Sequence, residues 1–263
     1  MKYILFIFLL TFNTLFLTNC HQDPKKEFIK KINTFSNYNE ELLDNYYDIY
    51  ISTSNIEYSL NKINYPYFLT PSYYHIKSLI INNIILVNKS FYLDKDFNGV
   101  DLIPVNNVPY IKRENEEMLI NKETLINYQN LYLFLKSLGY DIYIFSAYRS
   151  YDKQKRLYEN AVNKEYVAVE GQSEHQTGFA VDISLLDIGL TNHFENTEFY
   201  SVFINNLHLY GFILRYPKDK TNITGYPFES WHIRYVGKDV AEIIYNEKIT
   251  LEEYFYLYLP LNF

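Results

Sequence analysis

A single cysteine, Cys20, stands among 263 residues, so no disulfide within the chain can hold the fold together. Glycine and proline are scarce, at eight each. Beside abundant Asn, Ile, Lys and Tyr, that scarcity points to a biased genome and says nothing about mechanism. No long run of Lys or Arg occurs and the formal net charge is −7, which argues against a nucleic-acid-binding surface. Internal repeats and low-complexity tracts are lacking too. The apolar run near the start is too short for a confident membrane span.

What is present fits one folded domain. A chain of 263 residues and 31.6 kDa can bury a full hydrophobic core and carry a smaller leading segment, but not two equal domains. Its 29 Tyr and 19 Phe make it unusually aromatic. Tyrosine packs a core while offering hydroxyls to polar ligands.

The first residues read as an export signal. Met1-Lys2 is a short basic start, Tyr3 to Phe12 is almost entirely apolar, and Thr18-Asn19-Cys20 follows. A cysteine at this position resembles the acylation site of a bacterial lipoprotein, although Asn19 replaces the small residue usual before it. Lipidation at Cys20, an ordinary cleaved signal and an uncleaved anchor all place the chain outside the cytoplasm. Residues 1–20 are therefore assigned to the signal, 21–27 to a tether, 28–83 to a helical extension and 84–263 to the main domain.

Within the main domain, Ile84 to Val87 predicts a strand and Glu114 to Leu138 a helix stopped by Gly139. Asp141 to Ala147 alternates as a strand with Ile142, Ile144 and Ser146 on one side. Ser150 is positioned to cap a helix that begins at Tyr151. Phe179 to Leu185 reads as a strand turning Asp182 away from Phe179, Val181 and Ile183. In Trp231 to Val236, His232 and Arg234 share the face opposite Trp231, Ile233 and Tyr235. Helices are expected near Glu195 to Tyr210, Lys238 and Leu251 to Leu257. The pattern predicts an α+β fold, a central mostly antiparallel sheet with surrounding helices. A zinc site made by His175, Asp182 and His232 would then lie on the sheet face.

The chemistry-bearing residues cluster in three motifs. Two histidines and an aspartate, His175, Asp182 and His232, are common zinc ligands, and three protein ligands leave a coordination position open. A lone histidine is more often a hydrogen-bonded structural residue. Here an acid follows His175 and a second histidine stands near Glu229. Glu229 precedes His232 at an offset that a regular strand would turn to the other face, so sharing a site requires a loop or a bulge. A carboxylate beside a metal, not on it, can move a proton from water to a leaving amine. Arg149, at a strand-to-helix corner, suits a carboxylate or a developing oxyanion, whereas alone it would read as a surface salt bridge. A serine hydrolase using Ser146 or Ser173 with His175 lacks a nucleophile-elbow motif.

Taken together, Ser146-Ala147-Tyr148-Arg149-Ser150, the run Ser173 to Asp182, and Glu229-Ser230-Trp231-His232 resemble the VanY-like D-alanyl-D-alanine carboxypeptidases. These zinc peptidases group with lysostaphin-type enzymes and the hedgehog signalling domain. The resemblance covers about Ile84 to Tyr254 and includes Leu214 to Thr221 and Gly225. It implies zinc on His175, Asp182 and His232, with Glu229 as general base and acid. Arg149 would polarise the scissile carbonyl or hold the peptide, and Ser146, Gln154 and Ser173 would line the substrate site. Where family members often carry proline between the catalytic Glu and Trp, this chain has Ser230.

The implied partner is the peptidoglycan stem peptide, cut before a C-terminal D-alanine by a monomer tethered to the membrane through its N-terminal lipid. An L,D-carboxypeptidase or peptidoglycan endopeptidase would carry nearly the same motifs. A non-catalytic wall-binding lipoprotein would have no need of the complete ligand set and Glu229.

Overall fold

The computed structural model describes residues 23–66, 68–69 and 76–261. Cys20 and the signal segment lie outside the described residues. The chain runs α1 (Pro24–Ile32), α2 (Leu43–Thr53), α3 (Ile56–Asn64), β1 (Ile76–Lys77), β2 (Leu79–Ile81), β3 (Ile84–Leu86), β4 (Phe91–Tyr92), β5 (Leu102–Pro104) and β6 (Leu119–Asn121). It continues through α4 (Lys122–Ser137), β7 (Ile142–Ser146), α5 (Tyr151–Glu159), β8 (Ala180–Leu185), α6 (Glu198–Asn206), β9 (Phe212–Leu214), α7 (Thr221–Thr224), β10 (His232–Tyr235), α8 (Lys238–Glu247) and α9 (Leu251–Tyr258).

The central sheet has four strands in the order β7-β8-β10-β9, and every neighbouring pair is antiparallel. Paired residues share a face, so the register divides the sheet cleanly. Ile144 with Ile183, Val181 with Ile233, and Phe212 with Tyr235 face a core built with Leu125, Tyr128, Leu131 and Leu135 of α4 and Phe199 and Phe203 of α6. The opposite face carries Asp182, His232 and Arg234. Backbone from β3 passes over it, for Arg234 Nη2 donates to the Ile85 carbonyl at 2.9 Å. This is the predicted α+β arrangement.

Several local expectations change. The helix expected from Glu114 starts at Lys122, because Leu119 to Asn121 pair with Leu102 to Pro104 and the Asn121 side chain accepts from the Thr124 amide as an N-cap. The segment 195–210 is broken into a 3-10 turn at Asn192–Asn196, α6, and a second 3-10 turn at Leu207–Tyr210 that ends at Gly211. The stretch 21–27, read as a tether, is already helical from Pro24, with Asp23 capping the first turn. Among its described residues the extension carries helix as far as Asn64, and β1 and β2 lie near its end.

On β7 the register shifts between Ile144 and Ser146. Ile144 opposes Ile183 and Ser146 opposes Asp182, so two residues advance on β7 for one on β8. This bulge corrects the simple alternation that put Ser146 with Ile142 and Ile144: it turns Ser146 onto the face of Asp182.

Helices α1 to α3 pack around Phe28, Ile32, Tyr46, Ile56 and Leu60. They join the rest through hydrogen bonds to the C-terminal end of the chain. The buried Asn61 amide donates to the Tyr256 carbonyl at 2.7 Å and the Leu259 carbonyl at 3.0 Å. Asn55 donates to Leu257 O and Asn37 to Leu261 O.

Candidate metal centre

Register alone brings three predicted site residues into one row, because Ser146 and His232 are both the cross-strand partners of Asp182. His175 reaches the same point from outside the sheet. It lies in a 3-10 turn, Glu174–Thr177, tied to the end of β7 by two bonds. The Arg149 amide donates to the His175 carbonyl at 3.1 Å, and His175 Nδ1 donates to the Ala147 carbonyl at 2.6 Å. The turn closes at Gly178, where φ is +85° and an added Cβ would lie 2.6 Å from Leu102 Cδ2. Only glycine suits that corner.

His175 Nε2 lies 3.1 Å from Asp182 Oδ2, and His232 Nδ1 lies 2.8 Å from Asp182 Oδ1. One donor atom from each of His175, Asp182 and His232 falls within 4.8 Å of the others, and all three residues are buried. The imidazoles meet edge to face with centroids 5.0 Å apart. Because Nδ1 of His175 is engaged by the Ala147 carbonyl, its Nε2 lone pair is left for the site. Burial pushes the His175 imidazole down, against the pull of Asp182. Burial alone would raise the Asp182 carboxyl, but His175 and His232 outweigh it and hold it well below the usual carboxylate range. Burial alone would lower the His232 imidazole, but Asp182 and Glu174 push it up to about 9, so a metal would have to displace its proton. Two imidazole nitrogens and an ionised carboxylate converging with no fourth His, Cys, Asp or Glu donor among the described residues suit zinc.

Glu229 sits in the loop before β10, as its offset required. Its Oε2 is 3.8 Å from His232 Nδ1, beside the three donors and not among them. Burial pushes its carboxyl up to about 7, with His232 opposing and Asp182 assisting. Arg149 points inward, its Nη2 3.7 Å from Asp182 Oδ2, held by bonds from Nη1 to Gln154 Oε1 at 2.7 Å and from Nη2 to Ser146 Oγ at 3.1 Å. Arg149 is therefore no surface salt bridge: its side chain is only 14% exposed and its carboxylate partner is the buried Asp182. Gln154 and Ser173 are buried nearby. Ser150 caps α5 by accepting from the Lys153 amide.

Sequence reasoning gave no role to Glu174, Arg215, Tyr216 or Arg234; Tyr216 and Glu174 lie against His232, and the two arginines bind Glu174. The Tyr216 ring stacks on the His232 imidazole at 4.9 Å. Glu174 Oε1 accepts from Arg215 Nε and Arg234 Nη1, both at 2.8 Å. Buried charges at strand positions are the signal that could have found Arg234, which alternates with His232 on one face.

A family model described as VanY, D-alanyl-D-alanine carboxypeptidase, matches residues 117–238. The putative carboxypeptidase YodJ of Bacillus subtilis (strain 168) is 40% identical over 187 residues, covering 66% of this chain and 67% of the relative. The bifunctional D-Ala-D-Ala dipeptidase and carboxypeptidase VanXYC of Enterococcus gallinarum is 34% identical, covering 66% of this chain and 94% of its own length. Among solved structures, the LdcB LD-carboxypeptidase superposes with a TM-score of 0.62 at 36% identity over 72% of this chain and 97% of that one. A variant of the D,D-pentapeptidase VanY from a VanB-type resistance cassette, solved with Zn(II), gives 0.54 at 33% over 65% and 97%. Sequence identity at this coverage and a buried His/Asp/His set lead to one conclusion: the chain belongs to the VanY family of D-alanyl-D-alanine carboxypeptidases and is a zinc-dependent peptidase.

Proposed function

We propose that the chain removes the C-terminal D-alanine from peptidoglycan stem peptides, with His175 Nε2, Asp182 and His232 Nδ1 holding zinc. The observation that carries the reading is the placement of Glu229, buried and within 3.8 Å of His232 Nδ1 but outside the ligand set. Zinc held there lowers the pKa of water and acts as a Lewis acid on the scissile carbonyl. Glu229 takes the proton from the attacking water and returns it to the amine of the departing D-alanine. A carboxyl raised by burial to about 7 is suited to both transfers, since it holds the proton firmly enough to carry it and still releases it near neutral pH.

Arg149 supplies fixed positive charge beside the reacting carbonyl or the terminal carboxylate. Its bonds to Gln154 and Ser146 hold the guanidinium before substrate arrives, so little reorganisation accompanies the reaction. Ser146, Gln154 and Ser173 line the peptide site.

The substrate places the enzyme outside the cytoplasm. Acylation at Cys20 would tether it to the membrane there, with the helical extension between anchor and catalytic domain. Among the described residues no helix is long and apolar enough to cross a membrane.

The likeness to LdcB, an LD-carboxypeptidase, supports a second reading in which the tetrapeptide stem is the substrate. The two differ in the stereochemistry handled at the residue before the cut. Defined tripeptide, tetrapeptide and pentapeptide stems, incubated with the zinc-loaded protein and weighed by mass spectrometry, separate them. The D,D reading expects the pentapeptide to lose one alanine, and a pentapeptide left intact beside a shortened tetrapeptide would replace it with the L,D reading.

A further inference from the structure

Behind the metal ligands runs a chain of four buried charges. Glu252 of α9 accepts from Arg215 Nη1 at 2.9 Å and Nη2 at 2.6 Å. Arg215 Nε and Arg234 Nη1 both donate to Glu174 Oε1 at 2.8 Å. All four side chains are within 2% of complete burial. Arg234 is further fixed on backbone by donating to the Ile85 and Tyr235 carbonyls, and Glu252 is fixed by Asn88 Nδ2, which donates to its Oε1 at 2.9 Å. A buried carboxylate with so many anchors has one orientation.

One oxygen of that carboxylate is not used by the arginines. Glu174 Oε2 faces His232 Nε2 at 3.7 Å, and both atoms are buried without another hydrogen-bond partner among the described residues. An isolated buried donor and acceptor are each costly, and these two complement each other. If His232 binds metal through Nδ1, its other nitrogen must carry hydrogen and becomes a donor. A movement of under about 1 Å brings the pair within ordinary hydrogen-bond range.

We infer that Glu174 is a positioning residue for His232: its free oxygen accepts the Nε2 hydrogen, holding the tautomer and ring angle that turn Nδ1 toward the metal. The two arginines fix the orientation of Glu174, and Glu252 anchors Arg215 to the C-terminal helix. Glutamine cannot replace Glu174, because its amide would set an NH₂ against either the His232 donor or the guanidiniums.

The inference rests on the assignment of His232 as a ligand. On the purified full chain, zinc affinity is measured by chelator competition for wild type, Glu174→Gln and Glu252→Gln. Both substitutions neutralise one carboxylate of the same buried series, so both lower the melting temperature. The expected result is zinc affinity 10- to 100-fold weaker in Glu174→Gln and within about twofold of wild type in Glu252→Gln. Equal losses in both, or none in Glu174→Gln, would overturn the positioning role. Wild type that binds no zinc would instead sink the ligand assignment. Should Glu174→Gln not fold, ¹⁵N-histidine NMR of the zinc-loaded wild type decides. An exchange-protected Nε2 proton on His232 supports the inference, and a His232 protonated at Nδ1 overturns it.

Discussion

Asp182 and His232 are register partners on adjacent antiparallel strands, and His232 Nδ1 stands 2.8 Å from Asp182 Oδ1. Two ligands of one metal are thus fixed by backbone hydrogen bonding between β8 and β10. The third comes from a turn clipped to the end of β7. A site built on strands varies less in geometry than one built on loops, which suits a centre whose donors must converge closely.

Replacing Glu229 with glutamine keeps the shape beside the metal and removes the proton acceptor. Zinc content should stay at wild-type level while turnover falls by about 10²–10⁴-fold. Metal analysis and product release, measured on the same sample, check this. A variant with near wild-type turnover would show that Glu229 is not the base.

The raised carboxyl of Glu229 has consequences for pH. Folded protein holds this proton up to about 7, against an ordinary value of 4.5, chiefly because of burial. The neutral form therefore contributes stability that is fully present below about 4.5 and lost as pH rises through about 7. The difference corresponds to roughly 3 kcal/mol at most. Denaturation of chelator-treated wild type should show this decline relative to Glu229→Gln, which mimics the protonated form at every pH. For catalysis the sign reverses, since the base must be ionised. A bound cation beside Glu229 draws its pKa down, so the acid limb of kcat/KM should fall between about 4.5 and 7. A limb outside that interval, or parallel stability curves, would contradict the environment assigned to Glu229.

The helical extension is joined to the catalytic domain by asparagine side chains reading backbone carbonyls near the C-terminus. Asn61→Leu leaves the Tyr256 and Leu259 carbonyls and the Leu261 amide without this partner. At about 1–3 kcal/mol for a buried group left unpaired, the melting temperature should fall by several degrees. Zinc affinity should hold, because Asn61 touches no residue of the centre. Unchanged melting would mean that the extension adds nothing to the stability of the domain it packs on.

The parts of this molecule legible in its sequence are those governed by local periodicity. Alternation in Phe179 to Leu185 and Trp231 to Val236 turned Asp182 and His232 each away from its strand's apolar set, the register then joined them, and Gly139, Ser150 and Gly211 marked real boundaries. The offset of Glu229 correctly demanded a loop. What could not be read depends on pairing between distant segments. Leu119 to Asn121 looked helical until Leu102 to Pro104 became its partner. The bulge that turns Ser146 toward Asp182 exists only in the register of β7 with β8. Glu174, Arg215, Arg234 and Glu252 meet across four separate segments, and no spacing announces that meeting. Arg149 was recoverable only because its neighbours carried the other motifs.

The most direct test of the account is diffraction from crystals of the zinc-loaded protein at the zinc absorption edge. The expected result is one strong anomalous peak about 2.0–2.2 Å from His175 Nε2, an Asp182 oxygen and His232 Nδ1, with Glu229 beside it and unbound. A peak elsewhere, or one whose ligands include Glu229 in place of any of the three, would contradict it.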